Sequence, residues 1–253
     1  MPTFYYLKEN VVVQREIASP TQEIMPGVLW GDPDVLFTPA FWLGQYWMRE
    51  DTGLHSRPHA LGQTLEEEVV ACLLGGYGIP AEVGLAAFVR LKSRGLISHE
   101  GTKSDLILRS LAEPLTVSGR PVNYRFSSQK ARYVVAALRV LHERPAPLNS
   151  ALSLRQYLLG LPGVGFKIAS WVVRNWLGSS EVAILDIHLV RAGRLMNLFS
   201  ASDDVARNYL NMEERFLKLA DAMQARAADL DALIWFEMRR TPRLVAKLLR
   251  QLD

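Results

Sequence analysis

The chain has 253 residues, 49% of them apolar, with a formal net charge of +3 and one cysteine. That is enough apolar material for a core without covalent staples. The lone Cys72 excludes an intrachain disulfide framework, a four-cysteine zinc site and a four-cysteine iron–sulfur cluster. Met1-Pro2-Thr3-Phe4-Tyr5-Tyr6 lacks the basic-then-apolar layout of a secretion signal, and no apolar run approaches the ~20 residues that span a bilayer. A soluble protein in a reducing, cytoplasmic setting is expected, with no membrane partner.

Residues 1–60 hold 9 of the 23 aromatic side chains and a short alternating stretch at Val11-Val12-Val13-Gln14-Arg15. They predict an N-terminal arm, irregular or with two or three short strands or turns, packed onto the rest through Phe37, Phe41, Trp42, Tyr46 and Trp47. For these rings core packing is favoured over a platform that stacks bases. His55 and His59 stand four apart, as two ligands on one helix would, but Pro58 lies between them and a loop is the expectation.

From Gln63 onward the pattern is helical nearly throughout. Thr64-Leu65-Glu66-Glu67 reads as a capping box opening a helix that Gly75-Gly76-Tyr77-Gly78 stops. Further helices are predicted at 81–95, 104–112, 128–143, 152–160, 166–177, 187–198, 204–224, 229–239 and 243–251. The expectation is a mainly α chain, an arm over 1–60 followed by one helical domain over 61–253.

Charge is unevenly spread. Leu115 to Ser180 carries nine Lys or Arg against the single acid Glu143, a net +8 that leaves −5 for the remainder. A polyanion, most commonly nucleic acid, is the natural partner of such a segment, and a set of solvated helix faces is the plain alternative.

The same segment contains Leu161-Pro162-Gly163-Val164-Gly165-Phe166-Lys167, followed nineteen residues after the lysine by Asp186-Ile187-His188. Pro-Gly-x-Gly between apolar runs predicts two helices, over 152–177, joined by a tight hairpin. The N–H groups of Gly163, Val164 and Gly165 can then hold a phosphate without reading sequence. By itself the turn is common in helical proteins. Lys167 is placed in the first turn of the second helix, where the dipole disfavours a cation. That misfit suggests an amine needed neutral, as a nucleophile, with Asp186 at a helix N-cap brought near it.

Leu-Pro-Gly-Val-Gly-x-Lys with the later Asp-x-His resembles the helix–hairpin–helix DNA glycosylase superfamily, and within it the 8-oxoguanine DNA glycosylase/AP lyase group. The resemblance covers residues 62 to 240 and is strongest around the lysine. It implies two helical subdomains flanking a cleft, a substrate of double-stranded DNA with a damaged base, and a monomeric enzyme that needs no cofactor. Lys167 would attack C1′ of a flipped-out nucleotide, Asp186 would stabilise the charge developing on the sugar, and His188 would contact a phosphate. A Schiff base and β-elimination would follow.

Asn123-Tyr124-Arg125-Phe126-Ser127-Ser128-Gln129-Lys130 and Leu230-Asp231-Ala232-Leu233-Ile234-Trp235 resemble stretches of the compact microbial members of this group. Through them Phe126 and Trp235 are assigned to the two walls of the base pocket. Arg125 is assigned to the gap in the duplex or the opposite base, with a phosphate contact or a surface ion pair as the alternative. The backbone carbonyls of Leu159, Leu161 and Val164 hold the positions that bind a sodium or potassium ion in the superfamily.

Two departures bear on specificity. Where larger members present asparagines to the duplex, this chain has Gly75-Gly76-Tyr77-Gly78, with Tyr77 as a stacking wedge. The chain also continues from Phe236 to Asp253 beyond Trp235, where compact members stop. The leading expectation is excision of an oxidised purine, with 8-oxoguanine first. A glycosylase for another modified base and a non-catalytic hairpin DNA-binding protein are the alternatives.

Overall fold

The structure, a computed structural model, describes residues 2–51, 59–76, 78–97 and 104–252. Strands β1 (Thr3–Lys8), β2 (Val11–Glu16), β3 (Glu23–Met25) and β4 (Val28–Leu29) precede α1 (Pro39–Asp51), and α2 (Leu65–Leu74), α3 (Ala81–Ser93) and α4 (Ser104–Ala112) follow. A hairpin of β5 (Leu115–Val117) and β6 (Arg120–Val122) leads to α5 (Ser127–Glu143), α6 (Ala151–Leu159) and α7 (Phe166–Leu177). The chain continues through α8 (Ile187–Leu195), α9 (Val205–Ala222), α10 (Ala227–Arg240) and α11 (Pro242–Leu249). The strands form three antiparallel two-stranded pairs, so the protein is mainly α, as expected. Among the described residues no helix is long and apolar enough to cross a membrane. The chain groups into two compact units, Met1–Pro58 with Ser180–Asp253, and His59–Ser179.

In the unit formed by His59–Ser179, α2 is the central helix. Its residues 69 to 74, Val-Val-Ala-Cys-Leu-Leu, are all buried, and Val70 and Leu74 join Val83, Phe88, Leu91, Ile107, Leu111, Leu115, Val134 and Leu138 in one core. Apolar residues on every side of a helix are what a central position requires. The predicted cap is present: Thr64 Oγ1 accepts the Glu67 N–H, and Glu67 Oε2 reaches back to the Gln63 N–H at 2.7 Å. Burial alone would raise the Glu67 carboxyl, but the Gln63 N–H and the Lys92 ammonium at 2.7 Å hold it below the usual range. Glu68 is buried as well, and its carboxylate accepts from the N–H groups of Leu61 (2.6 Å) and Gly62 (2.9 Å) and from Asn175 Nδ2 (2.7 Å). A buried charge held this way ties the incoming chain and α7 to α2.

The β5–β6 hairpin was not expected; it fills the gap between the helices predicted to end at 112 and begin at 128. Its turn, Ser118-Gly119, has both residues at positive φ (49° and 75°), the conformation that two-residue hairpins need. Three-residue strands are too short to show an alternating pattern above the helical background.

In the other unit, β1 and β2 pair in register from Thr3↔Glu16 to Lys8↔Val11 around a positive-φ turn at Glu9-Asn10. The arm also contains a 13-residue helix, α1, that sequence reading leaves irregular. Thr38 Oγ1 accepts the Phe41 N–H (3.1 Å) and Pro39 is the first helical residue, so start signals are present. Aromatic residues on several faces blur the stripe that would have revealed it: Trp42 and Tyr46 are buried, and Trp47 meets the Phe4 ring at 6.3 Å. Gly44 makes room for that ring, since a β-carbon there would lie 2.7 Å from Phe4 Cζ. The arm is anchored to α10 by Arg49–Glu237 (2.8 Å) and to the start of α10 by the Arg226 N–H on Tyr46 Oη (3.2 Å).

Helix α8 ends three residues earlier than predicted. Asn197 takes a left-handed conformation (φ 59°), and the Leu198 and Phe199 N–H groups return to the Gly193 carbonyl. Gly193 permits this, because a β-carbon there would stand 2.2 Å from Phe199 Cδ2. His59 lies outside any helix, and its expected companion His55 falls outside the described residues.

Candidate active site

The hairpin between α6 and α7 is built as the glycines imply. Leu161 and Val164 are buried, Gly163 and Gly165 are exposed, and the Val164 N–H donates to the Leu161 carbonyl at 3.1 Å. Gly165 is the N-cap of α7 and supplies no capping side chain, so the N–H groups of the first turn face outward without one. Gly163 is required twice over. Its φ is +81°, and a β-carbon would sit 2.2 Å from Tyr133 Cδ2 on α5. Gly163→Ala is therefore expected to cost at least about 2 kcal/mol, combining left-handed strain with displacement of that ring. Thermal melting checks it, with a fall of about 4 °C or more expected and wild-type melting counting against it.

The carbonyls of Leu159, Leu161 and Val164 are neutral oxygen donors of the kind an alkali ion accepts, and Leu161 shares its oxygen with the Val164 N–H. Among the described residues no cluster of His, Cys, Asp or Glu suits a transition metal.

Lys167 is the second residue of α7 and is half-buried. Among the described residues no carboxylate pairs with it. Its charge acts on another lysine. Lys130, on α5, is buried, and burial followed by the charge of Lys167 pushes its ammonium below the ordinary lysine range. Lys130 Nζ donates to the carbonyls of Leu73 (2.6 Å) and Gly75 (3.2 Å), and Tyr124 Oη donates to Leu74 O (2.6 Å). Together they satisfy the last carbonyls of α2, which would otherwise be buried and unpaired. Gly75 in turn packs on α7: a β-carbon there would lie 3.0 Å from Trp171, one helical turn after Lys167.

Tyr124 and Lys130 bracket the pair Arg125-Phe126 and so fix its place. Both members of the pair are exposed, with the guanidinium 5.0 Å from the ring centroid. A β-carbon on Gly78 would lie 3.7 Å from Arg125 Nη1 and 3.8 Å from Phe126 Cε2, so the chain after α2 runs beside them. Tyr77, the expected wedge, lies outside the described residues. Of the nine basic residues counted between 115 and 180, Lys130 and Arg174 are buried, and the exposed positive charge of that segment is carried by arginines such as Arg120, Arg125 and Arg132.

The other unit holds the aspartate. Asp186 is the N-cap of α8, and its Oδ1 accepts both the His188 N–H (2.8 Å) and the Leu189 N–H (2.9 Å). Both bonds end on one oxygen, which leaves Oδ2 outside the cap. The His188 ring meets Trp235 of α10 edge-on at 6.4 Å, and Arg239 stacks over the indole at 4.7 Å, one turn later on the same helix. The candidate residues thus form two groups: Lys167, the hairpin, Arg125 and Phe126 in one unit, and Asp186, His188 and Trp235 in the other.

Residues 59–225 match the family model described as 8-oxoguanine DNA glycosylase. The chain belongs to this family. Among its relatives, the 8-oxoguanine DNA glycosylase/AP lyase of Metallosphaera sedula is 27% identical over 139 residues, covering 52% of this chain and 67% of the relative. The chain spans between 61% and 67% of the length of the first such relatives. The 8-oxoguanine DNA glycosylase of Thermotoga maritima shares the fold, with a TM-score of 0.61 at 23% identity over 78% of this chain and 94% of that one. So does the Methanocaldococcus jannaschii 8-oxoguanine glycosylase/lyase in complex with DNA containing 8-oxoguanine, with a TM-score of 0.59 at 18% identity over 79% of this chain and 98% of that one.

For this 8-oxoguanine DNA glycosylase family member, the family match contains the hairpin, Lys167, Asp186, His188, Arg125 and Phe126. Trp235 and the arm lie outside it. Sequence reasoning gave no role to Lys130 or Arg239. Lys130 stands in the first turn of α5, whose N-cap is Phe126, and no local pattern marks it as buried. Arg239 follows Trp235 by four residues.

Proposed function

We propose that this protein excises oxidised purines, 8-oxoguanine first among them, from duplex DNA and then cleaves the abasic strand. The observation that carries the reading is Lys167: a half-buried lysine without a carboxylate partner among the described residues, on the first turn after the Gly163–Gly165 hairpin, inside the family match. The names of the relatives and the DNA complex of the jannaschii enzyme support the substrate class.

In this scheme the hairpin N–H groups at Gly163, Val164 and Gly165, with His188, hold phosphates and leave the damaged nucleotide flipped out. Phe126 and Trp235 enclose the base, Arg125 takes the opposite strand's unpaired base, and Tyr77 enters the gap. The Lys167 amine attacks C1′, the N-glycosidic bond breaks, and the base leaves with the bonding electrons and a proton. The carboxylate of Asp186 offsets the positive charge that develops on the sugar. Opening of the sugar ring gives an iminium at C1′. Loss of a C2′ proton then expels the 3′ phosphate. An alkali ion held by the carbonyls of Leu159, Leu161 and Val164 would add positive charge at the hairpin. The protein acts as a monomer in the cytoplasm, where its buried Cys72 thiol stays reduced.

The test is incubation with duplexes carrying 8-oxoguanine opposite each normal base, with and without borohydride. Strand cleavage and a borohydride-dependent covalent adduct are expected. Absence of both, on this lesion and on a panel of other oxidised or alkylated purines, would reject the proposal.

A further inference from the structure

The residues preceding Asp186 are buried, yet they belong to no helix or sheet: Val182, Ala183, Ile184 and Leu185 have little exposed surface. Buried backbone groups outside regular structure need other partners: the Ile184 carbonyl accepts the Asp186 N–H at 2.7 Å, and side chains meet several of the rest. Glu213 Oε1 accepts the Ala183 N–H at 3.0 Å, and Asp231 Oδ2 accepts the Ile184 N–H at 2.8 Å. Tyr209 Oη donates to the Ala183 carbonyl (2.7 Å) and accepts the Leu185 N–H at 3.4 Å. Glu213 and Asp231 are themselves buried. Desolvating a carboxylate is expensive, and a serine or asparagine would satisfy an N–H at lower cost. What a carboxylate acceptor adds is a shorter, stronger bond.

The position of Asp231 makes that strength useful. It lies on α10 one turn before Trp235, so the two share a helix face. Asp231 binds the chain two residues before Asp186, and Trp235 contacts His188 two residues after it. One face of one helix therefore grips the polypeptide on both sides of the carboxylate.

We infer that Asp231 is a positioning residue that fixes the Asp186 carboxylate relative to the Trp235 wall, with Tyr209 and Glu213 holding the same segment from α9. The inference rests on the role given to Asp186 above. It predicts a loss in the chemical step with DNA binding largely retained, because the hairpin N–H groups proposed to hold phosphate belong to the other unit.

The experiment measures the single-turnover excision rate at saturating enzyme, and DNA affinity separately, for wild type, Asp186→Asn, Asp231→Val, Asp231→Asn and Tyr209→Phe. Asp231→Val should slow excision on the order of 10²-fold, the scale of a misplaced catalytic group, with affinity within about threefold of wild type. Asp231→Asn, which keeps an acceptor without the carboxylate's strength, should recover only part of that rate. In the Asp186→Asn background Asp231→Val should cost no more than about twofold, since the group it places has already lost its charge. If Asp231→Val does not fold, Tyr209→Phe carries the same comparison, with roughly a tenfold slowing and the same non-additivity. Losses that multiply in the double variant, or that fall on affinity and rate alike, would overturn the positioning role while leaving Asp186 in place. Wild-type speed in Asp186→Asn would remove the reading on which the inference rests, and the inference with it.

Discussion

Lys167→Gln is expected to lower excision of 8-oxoguanine by at least about 10³-fold and to abolish borohydride trapping, with duplex binding retained. Glutamine is close to lysine in length and helix propensity, and the position is half-buried at the start of α7. No ion pair among the described residues is lost, so melting should stay near that of wild type. The phosphate binding proposed for the backbone of Gly163 to Gly165 would not depend on the side chain. The structure also supplies an internal control. Lys130 is the nearby alternative amine, but its Nζ is committed to the carbonyls of Leu73 and Gly75. An adduct that survives in Lys167→Gln and disappears on further replacement of Lys130 would move the nucleophile to that residue.

Asp186→Asn separates two functions of one side chain. Asparagine caps a helix as well as aspartate does, and the two cap bonds, to His188 and Leu189, both end on Oδ1. Stability should therefore change by less than about 0.5 kcal/mol, while excision falls by roughly 10²–10³-fold through loss of the carboxylate charge. Asp186→Ala should add a stability loss of about 1 kcal/mol for the missing cap. Thermal melting beside single-turnover rates distinguishes the two effects. Equal rates for Asp186→Asn and wild type would mean that this carboxylate serves only to start α8.

What the sequence discloses here follows the range of the interactions involved. The hairpin, the start of α7 at Lys167 and the Asp186 cap depend on neighbours within four residues, and spacing alone reveals them. The helix starts at Thr64 and Ser150 are equally local. The bond from Asp231 to Ile184 spans 47 residues and that from Lys130 to Leu73 spans 57, and no local pattern announces either. Both residues stood inside stretches already matched to relatives, but a buried charged side chain looks like a surface one until its partner is placed. Helix α1 was hidden for a different reason: its start signals are ordinary, and its aromatic residues spread around the helix instead of lining one side.

The pairing of Arg49 with Glu237 joins residues 188 positions apart. On a ribosome adding about 5–20 residues per second, Arg49 emerges roughly 10–40 s before its partner exists. Throughout that interval the whole of the His59–Ser179 unit is made, and its contacts are internal to a continuous stretch of chain. The early segment, rich in tryptophan and phenylalanine, must meanwhile wait with greasy surface uncovered. The yield of this protein should therefore respond to translation speed as well as to the stability of its finished form.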